Sequence, residues 1–190
     1  MPNDNNTNFI DEFSKKSEEQ KRITAYNVSE IRRLNEKIVG GNTVIELAKG
    51  IPEKQPEEEE WCRFMAGTAK GFDLSPNSIT SQADDQNAFT ETIVSQFDIS
   101  FKFDGEVRKK DVEGEFGFHN MLNYIINQMK TRQQPSLWVR FNFGCSTLTG
   151  YMVVTAFSGN AETNALFTSS VEFKVADGTT VEVSTESPKD

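Results

Sequence analysis

The sequence predicts a mainly β protein: an antiparallel β-sandwich or partly open barrel with one flanking α-helix, preceded by a partly helical N-terminal extension. The first observation is alternation. In Gln96–Glu106, "QFDISFKFDGE", Phe97, Ile99, Phe101 and Phe103 fall on one side of an extended chain, and Gln96, Asp98, Ser100, Lys102 and Asp104 on the other. The second is order: a single clear amphipathic helix separates two blocks of strand-like sequence, which a curved antiparallel sheet with a helix laid across it accommodates. The third is aromatic supply. Of fifteen Phe, all but Phe9 and Phe13 lie between Phe64 and Phe173, so the core belongs to the later part of the chain.

Taken in order, "MPNDNNTN" is polar and Asn-rich, and "FIDEFSKKSEEQKR" has only a thin apolar face. "NVSEIRRLNEKIVGG" reads as a better helix: Ile31, Leu34 and Ile38 form a stripe, Asn27 or Ser29 caps it, and Gly40-Gly41 stops it. "NTVIELAKG" is a short strand, and "IPEKQPEEEE", with two prolines and a run of Glu, is a solvated linker. Residues 1–60 are therefore assigned to an N-terminal extension or arm, 61–183 to the β body and 184–190 to a fraying tail.

Within the body, "WCRFMAGTAKGFDL" is extended, "SPNSITSQADDQNA" is a loop of turn formers, and "FTETIVSQFDISFKF" is one long strand or two joined by a bulge. Asp104-Gly105 signals a turn leading into the charged loop "EVRKKDVEGE". The helix spans about 118–132, with Met121, Leu122, Ile125, Ile126 and Met129 as one stripe and Lys130 and Arg132 at its C-terminal end. Strands follow in "SLWVRFNFG", "GYMVVTAFS" and "ALFTSSVEFKVA", and Asp177-Gly178 makes a tight turn into "TTVEV".

Composition narrows the function. The net charge is −9 and the pI about 4.8, a poor basis for gripping nucleic acid, which needs clustered Lys and Arg. Two distant cysteines, Cys62 and Cys145, predict reduced, partly buried thiols and no metal site. Neither a secretory leader nor a bilayer-spanning apolar run is expected, which points to a soluble protein made in a reducing cytoplasm, with no membrane partner.

Residues for chemistry are sparse. His119, the single histidine, has no ligand or base at useful spacing and reads as a capping or surface group. Asp84-Asp85-Gln86-Asn87 with Glu91 lacks the glycine and alternating oxygens of a calcium loop. Asp98 and Asp104 share a strand face without an acid–base partner. No enzyme, cofactor or metal is expected. Trp61, Trp138 and Tyr151 could line a sugar groove, which makes a carbohydrate-binding adhesin the main alternative from the residues alone.

From Trp61 onward the chain resembles the major tail protein family of long-tailed, non-contractile bacteriophages. The resemblance is carried by "CRFMAGTAKGFDLSPNSIT", "SQADDQNAFTETIVSQ" leading into "FDISFKFDG", the helix "FHNMLNYIINQMKT", the strand "SLWVRFNFG", and the close "LTGYMVVTAFSGNAETNALFTSSVEFKVADGTTV". It covers roughly two thirds of the chain; the long segment through Glu60 departs from the pattern. The resemblance implies a sandwich with a flanking helix, related in fold to the tube protein of type VI secretion. It further implies hexameric rings stacked into a hollow tail tube of the virion, built around a tape-measure protein, bounded by tail terminator and baseplate or tip proteins, and later passing DNA. A tail-completion or connector ring is a second reading from the same resemblance. On the tube reading, Asp98, Ser100, Lys102 and Asp104 line the bore, and Ile31, Leu34 and Ile38 dock an arm on a neighbouring subunit.

Overall fold

A computed structural model describes residues 37–81 and 91–185. The body runs from Val39 onward. Its strands are β1 (Val44–Ala48), β2 (Cys62–Phe64), β3 (Ala66–Ser81), β4 (Glu91–Glu106), β5 (Glu115–Phe116), β6 (Ser136–Asn142), β7 (Ser146–Asn160) and β8 (Thr168–Thr185), with helix α1 (Phe118–Lys130) between β5 and β6.

These strands form one eight-stranded sheet in the order β3-β4-β8-β7-β6-β1-β2-β5. Neighbours are antiparallel except β2 and β5. Only Met65 separates β2 from β3, yet the two lie near opposite ends of that order. A sheet can satisfy both facts only by curling until its ends meet, one strand turning the corner between layers. The expected sandwich or partly open barrel is thus a single curled sheet.

The alternation in the sequence decides which side is interior. Phe101, Phe103, Val171 and Phe173 point inward from β4 and β8, and meet Ile45 and Leu47 of β1, Leu137, Val139 and Phe141 of β6, and Phe64 of β2. The Phe64 and Phe103 rings are 4.4 Å apart. Met121 closes the core from α1. The helix begins after Gly117, which offers no capping side chain; Asp111 supplies the acceptors instead, taking the backbone N–H groups of His119 (3.2 Å) and Asn120 (2.7 Å). A carboxylate there satisfies two orphan donors and complements the helix dipole.

Several sequence expectations are corrected. The body starts at Val39, not Trp61, because β1 lies inside the sheet between β6 and β2 and buries Ile45 and Leu47. Ser75–Ser81 is strand, not loop: its turn-forming residues are held by pairing with β4 along its whole length. Asp104-Gly105 makes no turn. Gly105 pairs with Gly67 and Ser169, and a Cβ there would lie 2.5 Å from the Ala66 carbonyl oxygen and 2.7 Å from the Phe103 ring, so glycine serves close approach. Asp177-Gly178 is a bulge inside β8 rather than a hairpin: Tyr151 pairs with Asp177 and Thr149 with Glu182, and the displaced residues are bonded through Thr180 Oγ1 to the Tyr151 N–H (2.8 Å). Finally the helix stripe divides, with Met121 buried and Ile125 against the core while Leu122, Ile126 and Met129 stay exposed.

The acidic run is not a free linker either. Arg140 on β6 donates to Glu46 Oε2 (2.8 Å) and holds Glu58 with two bonds (2.6 and 2.7 Å), while the Trp61 ring lies 4.6 Å from its guanidinium carbon. Trp138 donates to the Ile51 carbonyl (3.0 Å) and Tyr151 to the Gly50 carbonyl (3.2 Å). Residues 50–61 therefore strap the outer face of β6. The bond to Arg140 holds the Glu58 carboxyl below its usual range. A carboxyl lowered in the folded state contributes above its unfolded value, about 4.3, and the contribution fades as pH falls through the lowered one. Arg140→Ala should release the strap at neutral pH, and acid should release it in the wild type. Red-shifted tryptophan emission and cleavage within 50–61 are the readouts; unchanged emission in the variant contradicts the assignment.

Candidate assembly surfaces

The sequence-predicted bore residues come together on one face. On β4, Asp98, Ser100, Lys102 and Asp104 alternate with the buried Phe101 and Phe103 and point away from the core. Lys102 pairs with Glu172, Ser100 with Lys174 and Asp104 with Ser170 on β8; Asp73 and Ser75 of β3 sit opposite Ser100 and Asp98. Lys174 Nζ donates to Asp98 Oδ2 (3.2 Å), and the Ser170 hydroxyl donates to Asp104 Oδ1. Asp98, Lys102 and Asp104 are exposed, whereas Ser100 is buried between its taller neighbours. Four carboxylates (Asp73, Asp98, Asp104, Glu172) face two ammonium groups (Lys102, Lys174), so the patch is acidic by two charges.

Asp73, Ser170, Glu172 and Lys174 were not singled out from the sequence. The signal was present: in Ser170–Val175, Val171, Phe173 and Val175 alternate with Ser170, Glu172 and Lys174 just as they do in β4. What the sequence alone does not reveal is that β4 and β8 are neighbours.

A second surface was missed altogether. β4 pairs with β8 only from Ser100 to Glu106, so Glu91–Ile99 and Leu74–Ser81 continue beyond the sheet as a two-stranded ribbon. Leu74, Val94 and Phe97 are exposed on the face continuous with the core, Phe97 at 66%. An extra residue at Ser95 shifts the register, and beyond it Ile79 and Ile93 pair on the opposite face, also exposed. A two-stranded ribbon is marginal in water on its own, and its free edges invite another chain.

The remaining predicted residues do not form a second site. Trp138 is 4% exposed under the strap, and Trp61 is stacked on Arg140, so the three aromatics line no open sugar groove. His119 sits at the helix start, its ring nitrogen 3.3 Å from the Arg108 carbonyl oxygen. Cys62 is half-buried, as expected; Cys145 is exposed instead, and both are free. Ile38 is exposed, while Ile31, Leu34 and Asp84–Asn87 lie outside the described residues. Among the described residues no helix is long and apolar enough to cross a membrane.

By sequence, no family profile and no curated protein matches the chain. Solved structures do match in fold. A chain in the virion of a native gene transfer agent particle aligns over 80% of this chain and 100% of its own, with a TM-score of 0.54 and 10% identity. One in the tail of an empty gene transfer agent particle, of C6 symmetry, aligns over 80% and 100%, with a TM-score of 0.51 and 13% identity. The SPP1 tail tube aligns over 79% of this chain and 80% of its own, with a TM-score of 0.52 and 11% identity. The body therefore has the fold of phage tail and tail tube proteins, as the sequence resemblance implied.

Proposed function

We propose that this chain is the structural subunit of a phage-type tail tube, closing into rings that stack into a hollow conduit of the virion tail through which DNA leaves. The observation that carries the reading is the projecting ribbon, which has exposed apolar residues on both faces and two free edges and is joined to a body of tail-tube fold. Burial against identical copies removes those edges. Ring contacts close, and head-to-tail contacts between rings extend without limit. The C6 symmetry of the gene transfer agent tail supports rings of six. Baseplate or tip proteins and a tail terminator are the expected end partners, and a tape-measure protein the expected occupant during assembly. The expected role is non-enzymatic.

The polar face of β4 and β8 is assigned to the bore. Acidic by two charges and crossed by ion pairs, it repels phosphate and gives DNA no cation cluster to hold. Replacing Asp98 and Asp104 by Lys should leave tubes intact and slow DNA ejection, read as dye entry or DNA release from particles over time. Unchanged ejection from particles carrying both substitutions counts against the assignment.

The arm formed by residues 1–36, with Ile31 and Leu34 extended by the exposed Ile38, is assigned to a neighbouring subunit. A segment with so thin an apolar face gains order when it can share another chain's surface. Deleting residues 1–36 should leave the thermal melt of the body nearly unchanged and sharply reduce polymer yield by sedimentation. Equal yield with and without the segment rejects the arm.

A further inference from the structure

Near the corner where β2 gives way to β3, two cations stand without an ion-pair partner among the described residues. Arg63, on β2, has an acid on either side of it in the sheet, Glu46 of β1 and Glu115 of β5. Both are engaged elsewhere: Glu46 accepts from Arg140 (2.8 Å) and Glu115 from Arg108 (2.7 Å). Lys70, on β3, donates through Nζ to the Thr43 carbonyl oxygen (2.6 Å), which fixes the ammonium without neutralising it. Burial, and then the charge of Arg63, hold the Lys70 ammonium below the usual lysine range.

The two side chains line a cavity of about 530 Å³ together with Arg108, Glu115 and the first turn of the body, Gly40, Gly41 and Thr43. Three cations and one carboxylate leave it positive by two charges, in a chain whose net charge is −9. The backbone fixes its geometry. A Cβ on Gly67 would lie 2.6 Å from Lys70 Cε, so the lysine stem occupies the space that the glycine leaves. The β3 register shifts between Gly67 and Ala69, a bulge that re-aims the side chains after it. With its stem on Gly67 and its head on the Thr43 oxygen, Lys70 has one ammonium donor in use and the others open to a ligand. Arg63 adds a guanidinium, whose planar fork suits oxyanions.

From this we infer that the cavity at Arg63 and Lys70 is a binding site for a small, doubly charged oxyanion of the phosphate and sulfate class. Such an anion covers both cations at once, and its tetrahedral oxygens accept from two directions; a monoanion leaves one cation uncompensated. A nucleic-acid backbone is a poor occupant, because it needs a row of cations and meets here a single recess in an acidic chain. Lys70 pairs with Phe103, and so lies on the opposite side of β3 from Asp73 and the face assigned to the bore. The site goes beyond the tube reading and does not rest on it.

The test uses the full-length protein below the concentration at which it sediments as polymer. Inorganic phosphate is titrated against sodium chloride at equal ionic strength, and read by calorimetry and thermal melting. At ten times its dissociation constant, phosphate should raise the wild-type melting temperature by about 3–5 °C over chloride. Sulfate should act alike and acetate should not. Arg63→Gln and Lys70→Gln should each weaken binding on the order of tenfold. Each variant is read against its own anion-free melt, so that a change in intrinsic stability does not enter. Lys130→Gln, at an exposed lysine outside the cavity, should bind as the wild type does. No binding, equal binding of acetate, or undiminished binding in both Arg63→Gln and Lys70→Gln overturns the site, the last meaning an adventitious ion only. A short DNA duplex that binds through Arg63 where free phosphate does not overturns it in favour of nucleic acid. None of these results bears on the tube reading, which the formation of rings and tubes decides.

Discussion

Phe103→Ala is expected to cost about 3–5 kcal/mol, against a total of about 5–15 for a domain of this kind. Phe103 is 1% exposed, its ring is 4.4 Å from Phe64, and Gly67 and Gly105 approach it so closely that a Cβ on either would lie 2.7 Å from ring atoms. The two glycines admit the ring by having no side chains, so nothing of their own can move in when it leaves. The cavity should therefore persist, and the loss should sit at the upper part of that range. Chemical denaturation followed by far-UV circular dichroism measures it. A loss below about 1 kcal/mol would mean the site collapses or the ring is not where it is described.

Phe97→Glu should do the reverse: leave folding alone and abolish assembly. Phe97 is on the same strand six residues away, but it lies on the ribbon beyond the reach of β8, where its ring covers nothing of its own chain's core. Exposed substitutions of this kind change stability by about 0.5 kcal/mol or less. In an assembly the same carboxylate has to be buried beside Leu74 and Val94 without a partner, and burying an unpaired charge is prohibitive. Melting should match the wild type, and sedimentation should show small species only. Lys109→Glu, on the exposed loop between β4 and β5, serves as the control and should assemble. Wild-type polymers from Phe97→Glu contradict the role given to the ribbon.

These two phenylalanines also mark how far the sequence could be read. Phe97, Ile99, Phe101 and Phe103 form one alternating row, and alternation assigns all four to one face without saying where the covering layer ends. That depends on β8, whose pairing with β4 stops at Ser100, and on a contact between residues about seventy positions apart. Most strands and the helix were legible because their periodicity is local. The starting point of the body was not, because β1 is five residues long, is followed by an acidic stretch that looks like a linker, and reveals its place only through pairing with β6 nearly a hundred residues later. Glu58 illustrates the same point: a run of Glu looks solvated until Arg140 is seen beside it. Turn signals failed at Asp104-Gly105 and Asp177-Gly178 for a related reason. The glycine in the first admits a neighbouring ring, and the second sits in a bulge that β7 carries across. The β4 half of the polar face was legible as alternation; its β8 half had the same pattern and lacked only a neighbour.

Negative-stain microscopy of the purified, concentrated full-length protein tests the central claim most directly. The account predicts rings that stack into hollow tubes of indefinite length. Closed single rings that never stack would instead indicate a connector-type subunit, and a protein that stays monomeric at millimolar concentration would contradict the account outright.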